Sequence, residues 1–115
     1  MMEPTAEDLR RHFTPLLQAE LASLRDATRN TSADRRPVEL DQGSVGRLSR
    51  MDAMQGQAMA AAVDSRRQAR MRAIEAALVR LQGDDFGWCG VCGEFIGLRR
   101  LNLDPTVQRC VGCKH

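Results

Sequence analysis

Leu9, Phe13, Leu16, Leu17, Leu21 and Leu24 recur at steps of three and four residues near the start of the chain. That is the period of one apolar helix face. Thr5, with Asp8 three positions later, has the form of a capping box, Asp standing in place of the usual Glu, and marks where this helix begins. Pro15 interrupts the pattern. It either kinks the helix or, as the first helical residue after Thr14, opens a second segment. The periodicity fades into RNTSADRRPVELDQGS, whose Asn, Ser, Asp, Pro and Gly content reads as a turn or loop.

From about Ser44 to Gln82 nothing forbids one continuous helix, roughly 55–60 Å long at 1.5 Å per residue. Gly56 is its main weak point, costing about 1 kcal/mol relative to Ala. Val45, Leu48, Met51, Met54, Ala58, Met59, Ala62, Val63, Ala69, Ala73, Ile74, Ala76, Leu78 and Leu81 are its apolar positions, and no single heptad register holds them all. A seam of small residues lets such a helix pack closely against the first as an antiparallel hairpin. The methionines serve either as core, the expectation for an apolar stripe, or as an adaptable contact surface. Gly83-Asp84-Asp85 reads as a helix stop. Phe86 and Trp88 follow and are expected to wedge the C-terminal segment against the helix end. The fold expected is all-α: an antiparallel helical hairpin (a coiled coil) over residues 1–82 with its tip around 34–47, then a small module over 83–115.

That module holds all four cysteines of the 115-residue chain: Cys89, Cys92, Cys110 and Cys113. Two Cys-x-x-Cys turns separated by a 17-residue spacer fall in the pattern of zinc sites. Each turn brings two sulfurs to one ion, and two turns complete a tetrahedron of thiolates at ~2.3 Å. Gly90, Gly93 and Gly112 lie in or beside these turns, where positive φ angles cost glycine little. Four thiolates leave no open coordination position, so one structural Zn2+ is expected rather than a catalytic ion. Its binding would supply folding energy to the module.

Composition agrees with a helical protein that has a modest core. Aromatic residues are 3% of the chain, with no Tyr. No apolar run approaches the ~18–20 residues of a membrane span, and MMEPTAEDLR carries acids instead of the basic and apolar regions of a signal peptide. A cytoplasmic location is expected, where thiols stay reduced and paired Cys-x-x-Cys motifs point to metal. The formal net charge of +2 falls to about zero once zinc and four thiolates are counted. The sequence pI of 8.5 is therefore no sign of nucleic-acid binding.

The stretch DDFGWCGVCGEFIGLRRLNLDPTVQRCVGCK resembles the four-cysteine finger of the TraR/DksA family, the bacterial DnaK-suppressor proteins. Shared elements are the acidic-Phe-Gly-aromatic lead into the first Cys, then Cys-Gly, Ile-Gly-Leu-Arg-Arg-Leu, Pro-Thr and the closing Cys-x-x-Cys-Lys. The resemblance implies a bacterial transcription regulator that binds RNA polymerase, its hairpin tip passing through the secondary channel toward the active site to alter promoter-complex lifetimes. Family regulators carry Asp-x-x-Asp-x-Ala at the tip. Here Asp41-x-x-Ser44-x-Gly46 keeps one acid, and Asp52 is the substitute if the turn falls later. Asp41 or Ser44 also suits a helix cap. Some members act with guanosine tetraphosphate and place Arg before the Pro-Thr; this chain has Asp104 there and Ala73 at the aligned helix position, while Lys114 matches. The alarmone is not expected as a ligand, because Asp104 would repel it.

The basic run VDSRRQARMR places Arg66, Arg67, Arg70 and Arg72 on the second helix, with Arg66 and Arg70 sharing a face. Either these side chains are simply solvated, or Arg66, Arg67 and Arg70 dock on an acidic protein surface such as a polymerase rim. Two other function classes remain. One is a DNA-binding finger, disfavoured because Arg99, Arg100, Arg109 and Lys114 are matched by Asp84, Asp85, Glu94 and Asp104. The other is a helical scaffold without polymerase binding. With His12 and His115 alone, no nucleophile–base pair and no Gly-rich phosphate loop, no enzyme activity is expected. Neither is membrane association, and the expected state is a monomer.

Overall fold

The computed structural model describes residues 4–31 and 47–113. Helix α1 spans Ala6–Asn30, α2 spans Arg47–Gln82 and the short α3 spans Leu98–Leu103, with a 3-10 turn at Val111–Cys113. Most of the expected tip, including Asp41, Ser44 and Gly46, lies outside the described residues, as does Lys114. Among the described residues no helix is long and apolar enough to cross a membrane. No extended pairing among them goes beyond a single antiparallel bridge between Trp88 and Phe95.

The start of α1 follows from its cap. The Asp8 N–H donates to the Thr5 hydroxyl and the Thr5 N–H donates to the Asp8 carboxylate, both at 3.1 Å, so two otherwise orphan donors are satisfied. These bonds hold the Asp8 carboxyl below its usual range, the Thr5 backbone bond being the largest cause. The helix continues through Pro15 to Asn30, and no second segment begins there. Thr31 closes it, its N–H bonding the Ala27 carbonyl at 3.2 Å.

Antiparallel pairing of α1 and α2 shows in the bonds between them. Arg10 Nε donates to the Leu81 carbonyl at 2.8 Å near the base, Arg70 reaches Glu20, and Arg67 donates to the Thr31 hydroxyl at 3.1 Å. Between these ties Leu9, Phe13, Leu17 and Leu21 are buried against Met71, Ile74, Ala77 and Leu81. Leu16, placed by periodicity on the same face, is 53% exposed: the buried row runs at four-residue steps and Leu16 lies beside it. The methionine stripe also departs from expectation. Met51, Met54 and Met59 are 58%, 52% and 67% exposed, and Val63 is exposed too. The physical reason is length. Helix α1 ends alongside Arg67, so its leucines cannot cover the part of α2 that lies before that residue.

One buried cluster joins helices and finger. Phe86, Cys89, Ile96 and Leu101 belong to the same core as Phe13 and Ile74, and the Phe13 and Phe86 rings meet at 5.2 Å. Phe86 therefore is the wedge expected after the helix stop. Trp88 is not: it is 40% exposed and packs edge-on against Phe95 of the finger itself, at 5.3 Å. Gly87 between them has φ 91°, and a Cβ there would stand 3.1 Å from Phe95. Only glycine combines that backbone angle with so close an approach.

Candidate functional site

The finger is built by two turns facing each other. In the first, the Gly93 N–H returns to the Cys89 carbonyl at 3.0 Å, and the Cys89 N–H bonds the Glu94 carbonyl at 2.8 Å. In the second, the Cys113 N–H returns to the Cys110 carbonyl at 3.0 Å. The Gly90 N–H donates to the Gln108 carbonyl at 2.9 Å and ties one turn to the other. Of the glycines in or beside these turns Gly93 adopts a positive φ, as do Gly87 and Gly97 nearby.

These turns bring the sulfurs of Cys89, Cys92, Cys110 and Cys113 within 4.8 Å of one another, with Cys92 and Cys110 at 3.6 Å. Four sulfurs at ~2.3 Å from one zinc ion stand about 3.8 Å apart, so the donor set fits a tetrahedral Zn2+. Electrostatics point the same way. The Cys89 thiol is drawn down to about 6 by backbone N–H groups of Cys92, Cys110 and Val91 aimed at its sulfur. Cys113 is pushed up to about 12 by its hydrogen bonds with Cys110 and Cys92. Thiols this crowded cannot all ionise without a cation among them, and a divalent ion resolves the conflict. Cys89 lies within the buried core while Cys92 is exposed, so one structural zinc held by the four sulfurs would join the finger to the base of the helices.

Of the other residues singled out in the sequence, Asp52 is exposed in the first turns of α2. The basic run does not stay together. Arg66 is exposed, Arg67 is half-buried on Thr31, and Arg70 turns inward. Its Nε and Nη2 donate to the two Glu20 oxygens at 2.6 and 3.1 Å, and its Nη1 donates to Asp104 and to the Thr106 hydroxyl, both at 2.9 Å. Glu20 and Thr106 were not singled out in the sequence. The Asp-Pro-Thr order does signal the local turn, since a short acid readily accepts from the N–H two residues on. The Thr106 N–H and hydroxyl donate to Asp104 in that way, at 3.0 and 2.7 Å. The link to Arg70, 34 residues away, has no local signal. Burial pushes the Asp104 carboxyl up, but the bonds from Arg70 and Thr106 outweigh it and hold it below the usual range.

Residues 84–115 match the family described as prokaryotic dksA/traR C4-type zinc finger. The chain is 54% identical over 44 residues to the RNA polymerase-binding transcription factor DksA of Haemophilus influenzae, a stretch covering 38% of this chain and 30% of that protein. With the same-named protein of Escherichia coli K12 it shares 43% over 44 residues, or 38% of this chain and 29% of that one. The matched stretch thus spans less than a third of these curated relatives' length. The fold is similar to that of transcription factor DksA2 from Pseudomonas aeruginosa, with a TM-score of 0.56 and 28% identity over 93% of this chain and 72% of that one. The chain therefore carries, over residues 84–115, a C4-type zinc finger similar to that of the dksA/traR proteins, and its fold beyond the finger is similar to that of DksA2.

Proposed function

We propose that this chain is a bacterial transcription regulator that binds RNA polymerase through the enzyme's secondary channel, with the α1–α2 hairpin as probe and the zinc finger as its base. The observation that carries the reading is the union in one chain of two likenesses: the finger match over residues 84–115 and a fold likeness to DksA2 reaching over 93% of the chain. A long, slender helix pair with a rigid foot suits insertion into a channel. Asp41, Ser44, Gly46 and Asp52 are the tip residues we assign to contact near the polymerase's catalytic centre. Among the basic residues, Arg66 is assigned to docking on an acidic rim, since Arg67 and Arg70 are bonded within the molecule. The protein would regulate the polymerase's chemistry while performing none of its own.

Guanosine tetraphosphate has no part in this reading. An anion placed beside the Pro105-Thr106 turn would meet the Asp104 carboxylate, and the Arg70 guanidinium at that turn is already engaged by two acids. The test is titration of the zinc-loaded protein into fluorescently labelled bacterial RNA polymerase. Saturable binding is expected, unchanged by guanosine tetraphosphate, with slower association for Arg66→Ala. Absence of binding by protein of confirmed zinc content and helicity would overturn the reading. A salt-sensitive shift of duplex DNA by the protein alone would favour a DNA-binding finger instead.

A further inference from the structure

We infer that Arg70 is the positioning residue that fixes the direction of the hairpin relative to the zinc finger. The geometry is that of a three-way joint. One guanidinium on α2 spends a fork on Glu20 of α1 and its remaining arm on Asp104 and Thr106 of the finger. Planar, bidentate, charge-assisted contacts of this kind are directional as well as favourable. The acceptors are themselves held: the Asp104 oxygen that meets Arg70 also accepts from the Thr106 N–H and hydroxyl. Arg80 adds a longer bond, 3.5 Å, to the Thr106 carbonyl.

The other links between helices and finger direct the joint less. Phe86, Ile96 and Leu101 bury apolar surface against the helix bases, and such contact is non-directional. The His12–Asn102 bond, 3.2 Å, lies exposed at the opposite helix. The side chains of Arg70, Glu20 and Asp104 are 31%, 40% and 44% exposed, so the network contributes orientation more than stability. Orientation matters because the probe is long. From Arg70 to the first residue of α2 is about 35 Å at about 1.5 Å per residue, so a tilt of about 10° moves that end by about 6 Å. A joint loosened at Arg70 would therefore misplace the far end of α2 while the finger stayed seated.

The functional part rests on the proposed polymerase binding, whereas the joint itself does not. The experiment compares Arg70→Ala, Arg70→Lys, Asp104→Ala and the Arg70→Ala/Asp104→Ala double variant. Residual dipolar couplings read the finger–hairpin angle, with zinc content and helicity as controls, and polymerase affinity is measured in parallel. All variants are expected to keep zinc and helicity. Their couplings should report a widened angular spread, the double variant no worse than Arg70→Ala, and Lys should rescue only in part because it is a point charge without a fork. Polymerase affinity is expected to fall about tenfold in step with that spread. An unchanged angle in Arg70→Ala and Arg70→Lys would overturn the joint. A widened angle with unchanged affinity would overturn its role in binding. Failure of the unaltered protein to bind polymerase would sink the functional part alone, because the angular measurement stands without it.

Discussion

Phe13 and Leu16 look alike in the periodic pattern but differ in what they touch. Phe13 has no exposure and packs at a tilt against Phe86, whereas Leu16 is 53% exposed. Phe13→Ala is expected to destabilise the protein by about 3–5 kcal/mol, and Leu16→Ala by about 0.5 kcal/mol or less, as read from denaturant midpoints. Asp104 supplies a pH signature. Its carboxyl is held below the usual carboxylate range in the folded protein, so its contribution is complete above about pH 4 and is lost as pH falls through the lower folded value. Asp104→Asn should therefore be less stable than the natural protein near neutrality and should lose part of the acid-side slope below pH 4. An identical slope in both proteins would contradict this. The Arg70 network is the residue-scale feature the sequence concealed: its members stand far apart in the chain, and an arginine inside VDSRRQARMR looks like surface. Met71 was hidden the same way, a core residue flanked by arginines.

Among the elements, the start of α1 was legible because capping is local chemistry, and its bonds involve residues three apart. The buried row of α1 was legible because a four-residue step has one geometric meaning. The fate of the α2 stripe was not, since burial depends on whether a second helix lies alongside. The two halves of α2 should respond differently to mutation. Replacing Met51, Met54 and Met59 together by Gln is expected to leave the thermal midpoint nearly unchanged, because each is more than half exposed. Met71→Ala is expected to cost about 2–5 kcal/mol, because Met71 is 7% exposed within the core. A large loss in the triple variant would mean that the stripe is covered in solution.

At the scale of the molecule, the spacing of the four cysteines specified the zinc site, since two Cys-x-x-Cys turns have few other uses among reduced thiols. What spacing could not supply was the union of finger and hairpin in one core, through Phe86, Ile96 and Leu101. Zinc removal should therefore be felt beyond the finger. A strong chelator, or Cys113→Ser, is expected to lower the melting temperature of the helices seen by far-UV circular dichroism, along with loss of the module. A hairpin that melts at the same temperature without zinc would show that the two parts are energetically separate.

The most direct test of the central claim is competition on bacterial RNA polymerase between the zinc-loaded protein and an established secondary-channel factor. Mutual displacement, reaching completion at saturating concentration of either protein, is the predicted result. Simultaneous binding of both proteins, or no binding of this one, would contradict a place in the channel and leave the zinc site and the helical hairpin serving another partner.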